Sequence, residues 1–336
     1  MPWAFLVACV LALAAEVAVR MLPFERTTPY AWGLGEYDAS ALRLRTEGPP
    51  EVLVLGTSRA REGLDLPRMR AMLAGALGRD VRVGNHGLSG ARAGEAEAVL
   101  DLALREGRPR LVMLGIDPRL FQGEHEHTDR QARFAPLRAS WSGDGTPRDR
   151  RIAAHANLGA LLRTYGCRVR LGAALRGADD LAPLPSPLAG GPTLFQREQP
   201  DRSLVTHPID DAWIDAILAR VREGGRYDLQ PTRYAAVERM LRACTTREIP
   251  VLLFEVPLSR ALERHLPLGT LEATRGAARR LAAEHGTGLV LREDLDALFD
   301  EDDFFEPSHL ALPGARALTE ALVRDHLLPR YAEALR

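Results

Sequence analysis

The sequence has few cysteines and almost no net charge, and both shortages exclude classes of function. Its three cysteines, Cys9, Cys167 and Cys244, form no CxxC pair, so a zinc site built on cysteine is not expected. Lys and Arg together number 44 against 45 Asp and Glu, which gives no electrostatic basis for nucleic acid as the main partner. Cys167 and Cys244 are open to two interpretations, one disulfide or two buried thiols.

Long apolar runs are also scarce, and the one candidate for a membrane segment stands near the N-terminus. Residues 3–19 read WAFLVACVLALAAEVAV, with Glu16 as the first charged residue of the run. The run is short for a membrane span, since about 20 apolar residues are usual and about 17 is the lower limit. We expect a signal-anchor helix within residues 1–24 and a juxtamembrane linker over 25–50. A cleaved signal peptide, which would leave a secreted protein, and a buried core helix are the alternatives.

The composition otherwise suits a folded protein with a substantial core. Hydrophobic residues make up 46% of the 336 residues, which argues against wholesale disorder. Arginine dominates the basic residues and alanine is abundant, a composition typical of GC-rich bacterial genomes. With the anchor helix, this predicts a single-pass protein of the bacterial cytoplasmic membrane whose main domain lies outside the cytoplasm.

Short apolar runs alternate with helical patterns along most of the chain. Five continuous runs predict strands that are buried on both faces, at 51–56, 81–87, 110–117, 249–257 and 287–293. Helical patterns follow at 67–78, 94–107, 232–244, 271–286 and from Pro313 onward. This alternation predicts a three-layer α/β/α domain over 51–336 with an open, flavodoxin-like parallel sheet of five strands. The turn-rich interval of about 118–230 is too long for a connection and is interpreted as a lid or substrate-binding insertion.

Polar residues suited to catalysis follow the predicted strands. Ser58 comes after the first strand, Gly90 after the second and Asp117 after the third, while Glu306 and His309 precede the final helix. In open α/β sheets, ligands bind beyond the carboxyl ends of the strands. These segments are therefore expected to meet at one edge. Each motif alone has a plainer explanation, since a serine after a strand is often a helix cap.

The order of the motifs resembles the SGNH (GDSL-type) hydrolase superfamily. The first block of that family, a strand followed by G-D-S, corresponds here to Gly56-Thr57-Ser58, and the second, with Asn and then Ser-Gly, to Asn85 through Ser89-Gly90. The last block, D-x-x-H before a helix, corresponds to Glu306-Pro307-Ser308-His309. The sequence is most similar to the membrane-anchored, cell-surface branch. The matched segments cover about 51–117 and 249–325.

The resemblance implies acyl transfer by a serine nucleophile. Ser58 would attack, His309 would act as the base, and Glu306 would orient the imidazole in place of the aspartate of the family, with Asp303 as a possible substitute. Backbone N–H groups of Ser58 and Gly90 would stabilise the oxyanion. The expected substrate is an ester, with acetyl groups on an extracytoplasmic glycan as the class suggested by the anchored members. Neither a cofactor nor a metal is implied.

The third block departs from the family pattern. Where the family has Asn, this chain has Gly115-Ile116-Asp117-Pro118-Arg119, and an ionised aspartate does not donate a hydrogen bond to an oxyanion. Either Arg119 or Asn157 in the insertion supplies the missing donor, or the oxyanion hole is weaker, or turnover is lost. The last outcome would make the chain a non-catalytic binding or assembly component of a cell-surface polysaccharide system.

The remaining candidates have a structural and a functional interpretation each. Arg59 either binds an anionic group or pairs with a carboxylate, and pairing is favoured. Asn85 is a candidate pocket residue, and His86 either lines the pocket or packs under the turn. His125 and His127 with neighbouring acids are more typical of a solvated loop than of a metal site, and the acidic run 293–303 lacks the glycine and spacing of a calcium loop.

Overall fold

The structure is a computed structural model of the 336-residue chain. It describes residues 43–88, 90–121, 229–295 and 299–336, together with 3, 10–14, 16–18, 40 and 214–215. The chain divides into two compact units, one of Met1–Asp38 with His127–Leu194 and one of Ala39–Glu126 with Phe195–Arg336. All strands and helices labelled below belong to the second unit.

Five parallel strands form the central sheet in the order β2-β1-β3-β4-β5. They are β1 (Val52–Leu55), β2 (Val83–Asn85), β3 (Leu111–Ile116), β4 (Val251–Glu255) and β5 (Gly288–Val290). Val52 is in register with Val83 on one side and with Leu111 on the other. β1, β3 and β4 are buried at every position, as expected of strands covered on both faces. The predicted five-stranded parallel α/β sheet is therefore confirmed.

Helices cover both faces of this sheet. They are α1 (Ser58–Glu62), α2 (Leu66–Leu77), α3 (Ala93–Glu106), α4 (Pro118–Phe121), α5 (Pro231–Thr245), α6 (Arg260–His265), α7 (Thr270–His285), α8 (Leu312–Ala321) and α9 (Leu328–Leu335). α2 packs against α8 and α9, whereas α5 packs against α3 and α7. These two groups form the outer layers of a three-layer arrangement.

The two faces of each strand supply different halves of the core. Val52 and Val54 of β1 belong to the cluster that contains Met69 and Leu73 of α2. Leu55 instead lines a small apolar cavity on the other face, with Leu100 of α3 among its neighbours. A continuous apolar strand therefore serves both layers, because successive side chains point to opposite faces.

The C-terminal helix contains an irregularity that the periodicity does not predict. A π-helical segment, Leu322–Leu327, separates α8 from α9, and the N–H of Leu328 donates to the carbonyl of Val323. Pro329 follows at the start of α9. Since proline has no N–H to donate, the regular hydrogen-bond pattern is interrupted at this position.

The N-terminal predictions are only partly covered by the described residues. Residues 10–14 and 16–18 are helical, but among the described residues no helix is long and apolar enough to cross a membrane. The predicted anchor helix is therefore not supported. Residues 43–47, placed in the predicted linker, are helical and Leu44 is fully buried, so this part of the segment belongs to the core. Of the predicted insertion, 118–121, 214–215 and 229–230 are described.

A two-stranded antiparallel hairpin precedes α8. It consists of β6 (Phe304–Glu306) and β7 (His309–Leu310), with Pro307 and Ser308 between them. Phe304 pairs with Leu310 and Glu306 pairs with His309. Phe304 and Leu310 are both buried, which anchors the hairpin in the core of the domain.

Candidate active site

The candidate site lies where the order of the sheet reverses. β1 and β3 are neighbours at the centre, but the chain leaves β1 toward β2 on one side and leaves β3 toward β4 on the other. Such a switch point is where open α/β sheets bind ligands. Ser58 opens α1 three residues after β1, and Asp117 follows β3 directly. The topology therefore brings the first and third sequence blocks together.

Small residues let α1 lie directly on the ends of β1 and β3. A Cβ at Gly115 would come within 2.5 Å of the Ala60 Cβ, and a Cβ at Gly56 would come within 2.8 Å of the same atom. Gly56 also has a φ of 142°, in a region that favours glycine. The sequence GTSRA thus holds Ser58 close to the sheet, because neither glycine has a side chain to separate the layers.

The hairpin places the carboxylate and the imidazole opposite each other. Glu306 and His309 form a cross-strand pair, so their side chains lie on the same face of the hairpin. A register shift between Phe304 and Glu306 adds a residue to the first strand. The spacing E-x-x-H thus belongs to a hairpin with a two-residue loop.

Ser58, His309 and Glu306 form a continuous chain of polar contacts. His309 Nε2 lies 2.9 Å from Ser58 Oγ, although the two residues are 251 positions apart in the chain. His309 Nδ1 is paired with Glu306 Oε1. Ser58 is 7% exposed, and the side chain of His309 is 17% exposed. The imidazole can therefore bridge the hydroxyl and the carboxylate through its two ring nitrogens.

Glu306 is held in its ionised form by its neighbours. Burial raises the pKa of its carboxyl, but hydrogen bonds from His309 and Ser308 and the positive charges of His309 and Arg59 outweigh burial. The net effect lowers the pKa of Glu306 to about 2. A carboxylate that stays ionised at neutral pH accepts a hydrogen bond from the imidazole and stabilises its protonated form.

Two further residues of the hairpin contact this chain. Ser308 Oγ donates to Glu306 Oε1 at 2.5 Å and lies 3.2 Å from His309 Nδ1. The ring of Phe305 stacks on the imidazole of His309 with a centroid separation of 5.7 Å and an interplanar angle of 23°. Ser308 therefore fixes the carboxylate, and Phe305 covers one face of the imidazole.

The second block meets the first through backbone contacts. Leu88 forms a parallel bridge with Thr57, and its N–H donates to Gly56 O at 3.1 Å. The chain then turns, with Ala91 N donating to Leu88 O at 3.1 Å and Gly90 at a φ of 69°. That φ suits the third position of a type II turn and favours glycine. Gly90 is exposed, and a Cβ added there would meet open space.

Asp117 is engaged by three donors and is fully buried. Thr57 Oγ1 donates to its Oδ2 at 2.5 Å, and Arg59 donates to its Oδ1 at 3.1 Å. The backbone N–H of Arg119 donates to the same Oδ1 at 2.7 Å. Arg59 thus pairs with a carboxylate, the interpretation favoured from the sequence. Asp117 connects the end of β3 to the turn that carries Ser58.

Three predicted pocket residues have structural partners. The amide of Asn85 donates to the carbonyls of Ala60 and Arg61 at 2.9 and 3.2 Å, so Asn85 closes the end of α1. His86 is buried and its Nδ1 lies 2.5 Å from Ser40 Oγ. Asp303 accepts the backbone N–H of Asp300 at 3.0 Å, so the carboxylate that contacts His309 is that of Glu306.

His86 is a buried neutral histidine. Burial, assisted by the charge of Arg43, lowers the pKa of its imidazole to about 3. Cys244 is a buried free thiol, and burial raises its pKa to about 12. Cys167, Asn157, His125, His127 and Ser89 lie outside the described residues. Within the part of the chain that the structure describes, no group of three or more His, Cys, Asp and Glu is arranged to hold a metal ion.

Two contributors were not singled out from the sequence. Ser308 is given no role from the sequence, although its position between a carboxylate and a histidine indicates a hydrogen bond. Phe305 has no sequence signal, because its stacking on His309 depends on the register of the hairpin.

Comparison with known proteins adds no family assignment. No protein-family model matches the chain, and no curated protein matches it significantly. The resemblance to SGNH hydrolases therefore depends on the first, second and last motif blocks of the sequence.

Proposed function

We propose that this chain is a serine esterase or O-acyltransferase in which Ser58 is the nucleophile. The observation that carries the proposal is the 2.9 Å separation between Ser58 Oγ and His309 Nε2, together with the contact between His309 Nδ1 and Glu306. A serine hydroxyl is a weak nucleophile until a base lies within hydrogen-bond reach. The motif order of the SGNH superfamily supports the same assignment.

The reaction would proceed in two steps, acylation of Ser58 and then transfer of the acyl group to water or to an acceptor hydroxyl. Ser58 Oγ attacks the ester carbonyl carbon while its proton passes to His309 Nε2, and the carbonyl electron pair becomes the oxyanion. As the carbonyl re-forms, the bond to the alcohol breaks and His309 returns the proton to the leaving oxygen. Water or an acceptor hydroxyl then attacks the acyl-enzyme by the same steps. Water releases the acid, and an acceptor hydroxyl releases a new ester.

Oxyanion stabilisation would come from backbone donors. The N–H groups of Ser58 and Gly90 are our candidates, since Leu88 pairs with Thr57 and brings the two turns together. Removal of one such donor typically costs about 2.7–4 kcal/mol of transition-state stabilisation. The open space at Gly90 is compatible with a substrate beside this turn.

A serine-directed fluorophosphonate probe tests the proposal. We expect stoichiometric labelling of the wild-type chain at Ser58, located by peptide mass spectrometry, and no labelling of Ser58→Ala. The matched control is Ser259→Ala, which removes a buried hydroxyl that caps α6 and should leave labelling unchanged. A folded wild-type chain that resists the probe would contradict the proposal.

The alternative is a non-catalytic binding or assembly component. Asp117 favours it, because a carboxylate in place of the asparagine of the family does not donate to an oxyanion. The two functions differ in whether the wild-type chain forms an acyl-enzyme and turns over an ester. A binding component would retain glycan affinity in Ser58→Ala and would show neither acyl-enzyme formation nor ester turnover in the wild type.

The substrate class and location are further parts of the proposal. Acetyl esters on an extracytoplasmic glycan are suggested by the anchored branch of the family alone. An N-terminal membrane anchor is proposed from the apolar run of residues 3–19 in the sequence. Carbonate extraction of membranes from cells that express a tagged chain tests the anchor. Release into the soluble fraction would contradict it.

A further inference from the structure

Asp117 has the environment of a residue that fixes other residues in place. Its carboxylate is fully buried and accepts hydrogen bonds from Thr57, Arg59 and the backbone of Arg119 at 2.5, 3.1 and 2.7 Å. A buried carboxylate without partners would be costly, whereas one with several donors is stable and well ordered. These contacts join the C-terminal end of β3 to the turn after β1.

Both side chains that Asp117 holds adjoin the proposed nucleophile. Thr57 and Arg59 immediately precede and follow Ser58, and Thr57 caps α1 by accepting the N–H of Arg59 at 3.2 Å. Ser58 thus lies between two residues that are tied to the same carboxylate. A rotation of the turn that moved Ser58 Oγ away from His309 would have to break at least one of these bonds.

The pair with Arg59 also removes an electrostatic obstacle. An unpaired carboxylate near a developing oxyanion would oppose its charge. The Arg59 guanidinium is 3.1 Å from Asp117 Oδ1, and its charge also contributes to the lowered pKa of Glu306. Arg59 therefore compensates one carboxylate of the site and stabilises the other.

We infer that Asp117 is a positioning residue for Ser58, which acts through Thr57 and with Arg59 as its counter-charge. This inference rests on the proposed function and adds a role for the residue that departs from the SGNH pattern. The inference predicts that the residue the SGNH family has at this position, asparagine, would not improve the site of this chain. Asparagine at position 117 would impair the site, because it offers a single acceptor oxygen for three donors and cannot form the ion pair with Arg59.

The decisive experiment compares four variants by fluorophosphonate labelling and by hydrogen exchange of the peptide that covers residues 56–63. We expect Asp117→Asn and Thr57→Val to label roughly 10- to 100-fold more slowly, because a small displacement of a reacting group lowers the reaction rate by about this factor. Thr57→Ser, which keeps the hydroxyl, should label at the wild-type rate. Asp65→Asn removes another buried carboxylate, one that caps α2, and should lower stability without slowing the labelling.

A kinetic measurement separates positioning from general loss of structure. With a small ester such as p-nitrophenyl acetate, kcat should fall in Asp117→Asn while KM stays within about twofold, because Asp117 is fully buried and an interaction that acts only in the transition state changes kcat alone. Amide exchange over 56–63 should accelerate in the same variant and in Thr57→Val.

The outcomes distinguish the two proposals. Labelling of Asp117→Asn at or above the wild-type rate would overturn the positioning role and leave the proposed function intact. A wild-type chain that is never labelled would overturn the proposed function, and the exchange data would then decide the inference. Unchanged exchange of residues 56–63 in Asp117→Asn would overturn it, and faster exchange would support the connection between Asp117 and the turn.

Discussion

The two carboxylates of the candidate site are held in opposite ways. Asp117 is fully buried and accepts hydrogen bonds from Thr57 and Arg59 in the segment after β1, as well as from the backbone of Arg119 in its own segment. Glu306 has a side chain that is 24% exposed, and its hydrogen-bond partners Ser308 and His309 belong to its own hairpin. The half of the site that carries Ser58 is therefore part of the main core, whereas the half that carries the base is a local structure.

The hairpin is nevertheless anchored at its base. Phe304 and Leu310 are buried in the core, and the N–H of Ala311 donates to Asp303 O at 2.7 Å. The carbonyl of Pro307 accepts the N–H of Ser259 at 3.1 Å. Changes at the polar end of the hairpin should therefore affect chemistry more than folding, while changes around Ser58 should affect both. The following predictions test that contrast.

The largest effect is expected for His309→Ala. Removal of the base should lower kcat by about 10⁴-fold or more, and the double variant with Ser58→Ala should be no worse than either single variant, because the two residues act as a unit. His265→Ala is the control, since this half-buried imidazole lies in α6 and contacts the carbonyl of Ala261 in its own helix. An active His309→Ala would contradict the proposed mechanism.

Glu306→Gln should have the next largest effect on activity. Glutamine cannot stabilise a protonated imidazole as a carboxylate does, and loss of the orienting charge in a serine triad has been worth up to about 10⁴-fold in kcat. Glu306→Asp shortens the side chain by one methylene and should retain more activity than Gln. Equal activity of Gln and wild type would remove Glu306 from the mechanism.

Glu306→Gln should also change how the free energy of unfolding depends on pH. The pKa of Glu306 is lowered from 4.5 to about 2, so its stabilising contribution is complete above pH 4.5 and is lost as the pH falls through about 2. That contribution is at most about 3 kcal/mol. Urea unfolding between pH 7 and pH 2 should show the advantage of wild type over Glu306→Gln shrinking below pH 4.5. A constant difference would contradict the lowered pKa.

Gly115→Ala tests the other half of the site. The new methyl group would lie 2.5 Å from the Ala60 Cβ, and overpacking of this kind costs about 1–3 kcal/mol. We expect lower stability and slower fluorophosphonate labelling, because α1 must move away from the sheet. Ala60→Gly should partly rescue both properties in the double variant. The absence of rescue would show that α1 is not positioned by this contact.

The part of the fold that follows from local patterns was predictable from the sequence. β1 and β3 are continuous apolar runs, and the glycine after β1 marks the turn before Ser58. The sheet order and the opposition of Ser58 and His309 required the motif order as well, because no local pattern connects residues 251 positions apart.

What the sequence did not predict depends on contacts between distant segments. From the sequence, Asp117 was expected only to deprive the oxyanion hole of a donor. Its contacts with Thr57 and Arg59 were not predicted, because these residues follow a different strand. The sequence placed Glu306 and His309 ahead of the final helix, but the spacing does not show that Pro307 and Ser308 form the loop of a hairpin. The predicted insertion and anchor helix lie largely outside the described part of the chain, and both stay predictions.

The smallest effect is expected for Ser308→Ala. The variant removes the hydroxyl that donates to Glu306 Oε1 at 2.5 Å, and a hydrogen bond to a charged group contributes about 1.5–3 kcal/mol. Since His309 still holds the carboxylate, part of this energy is retained and kcat should fall roughly 3- to 10-fold. The pKa of Glu306 should rise, because the Ser308 hydrogen bond is one of the effects that lower it.

Ser308→Thr is the matched control, because it keeps the donor and should keep kcat close to wild type. If both variants lost activity equally, crowding at the hairpin loop and not the hydrogen bond would explain the loss. If neither lost activity, Glu306 would be oriented by His309 alone. The hairpin half of the site would then depend on a single contact, in contrast to the three donors that hold Asp117.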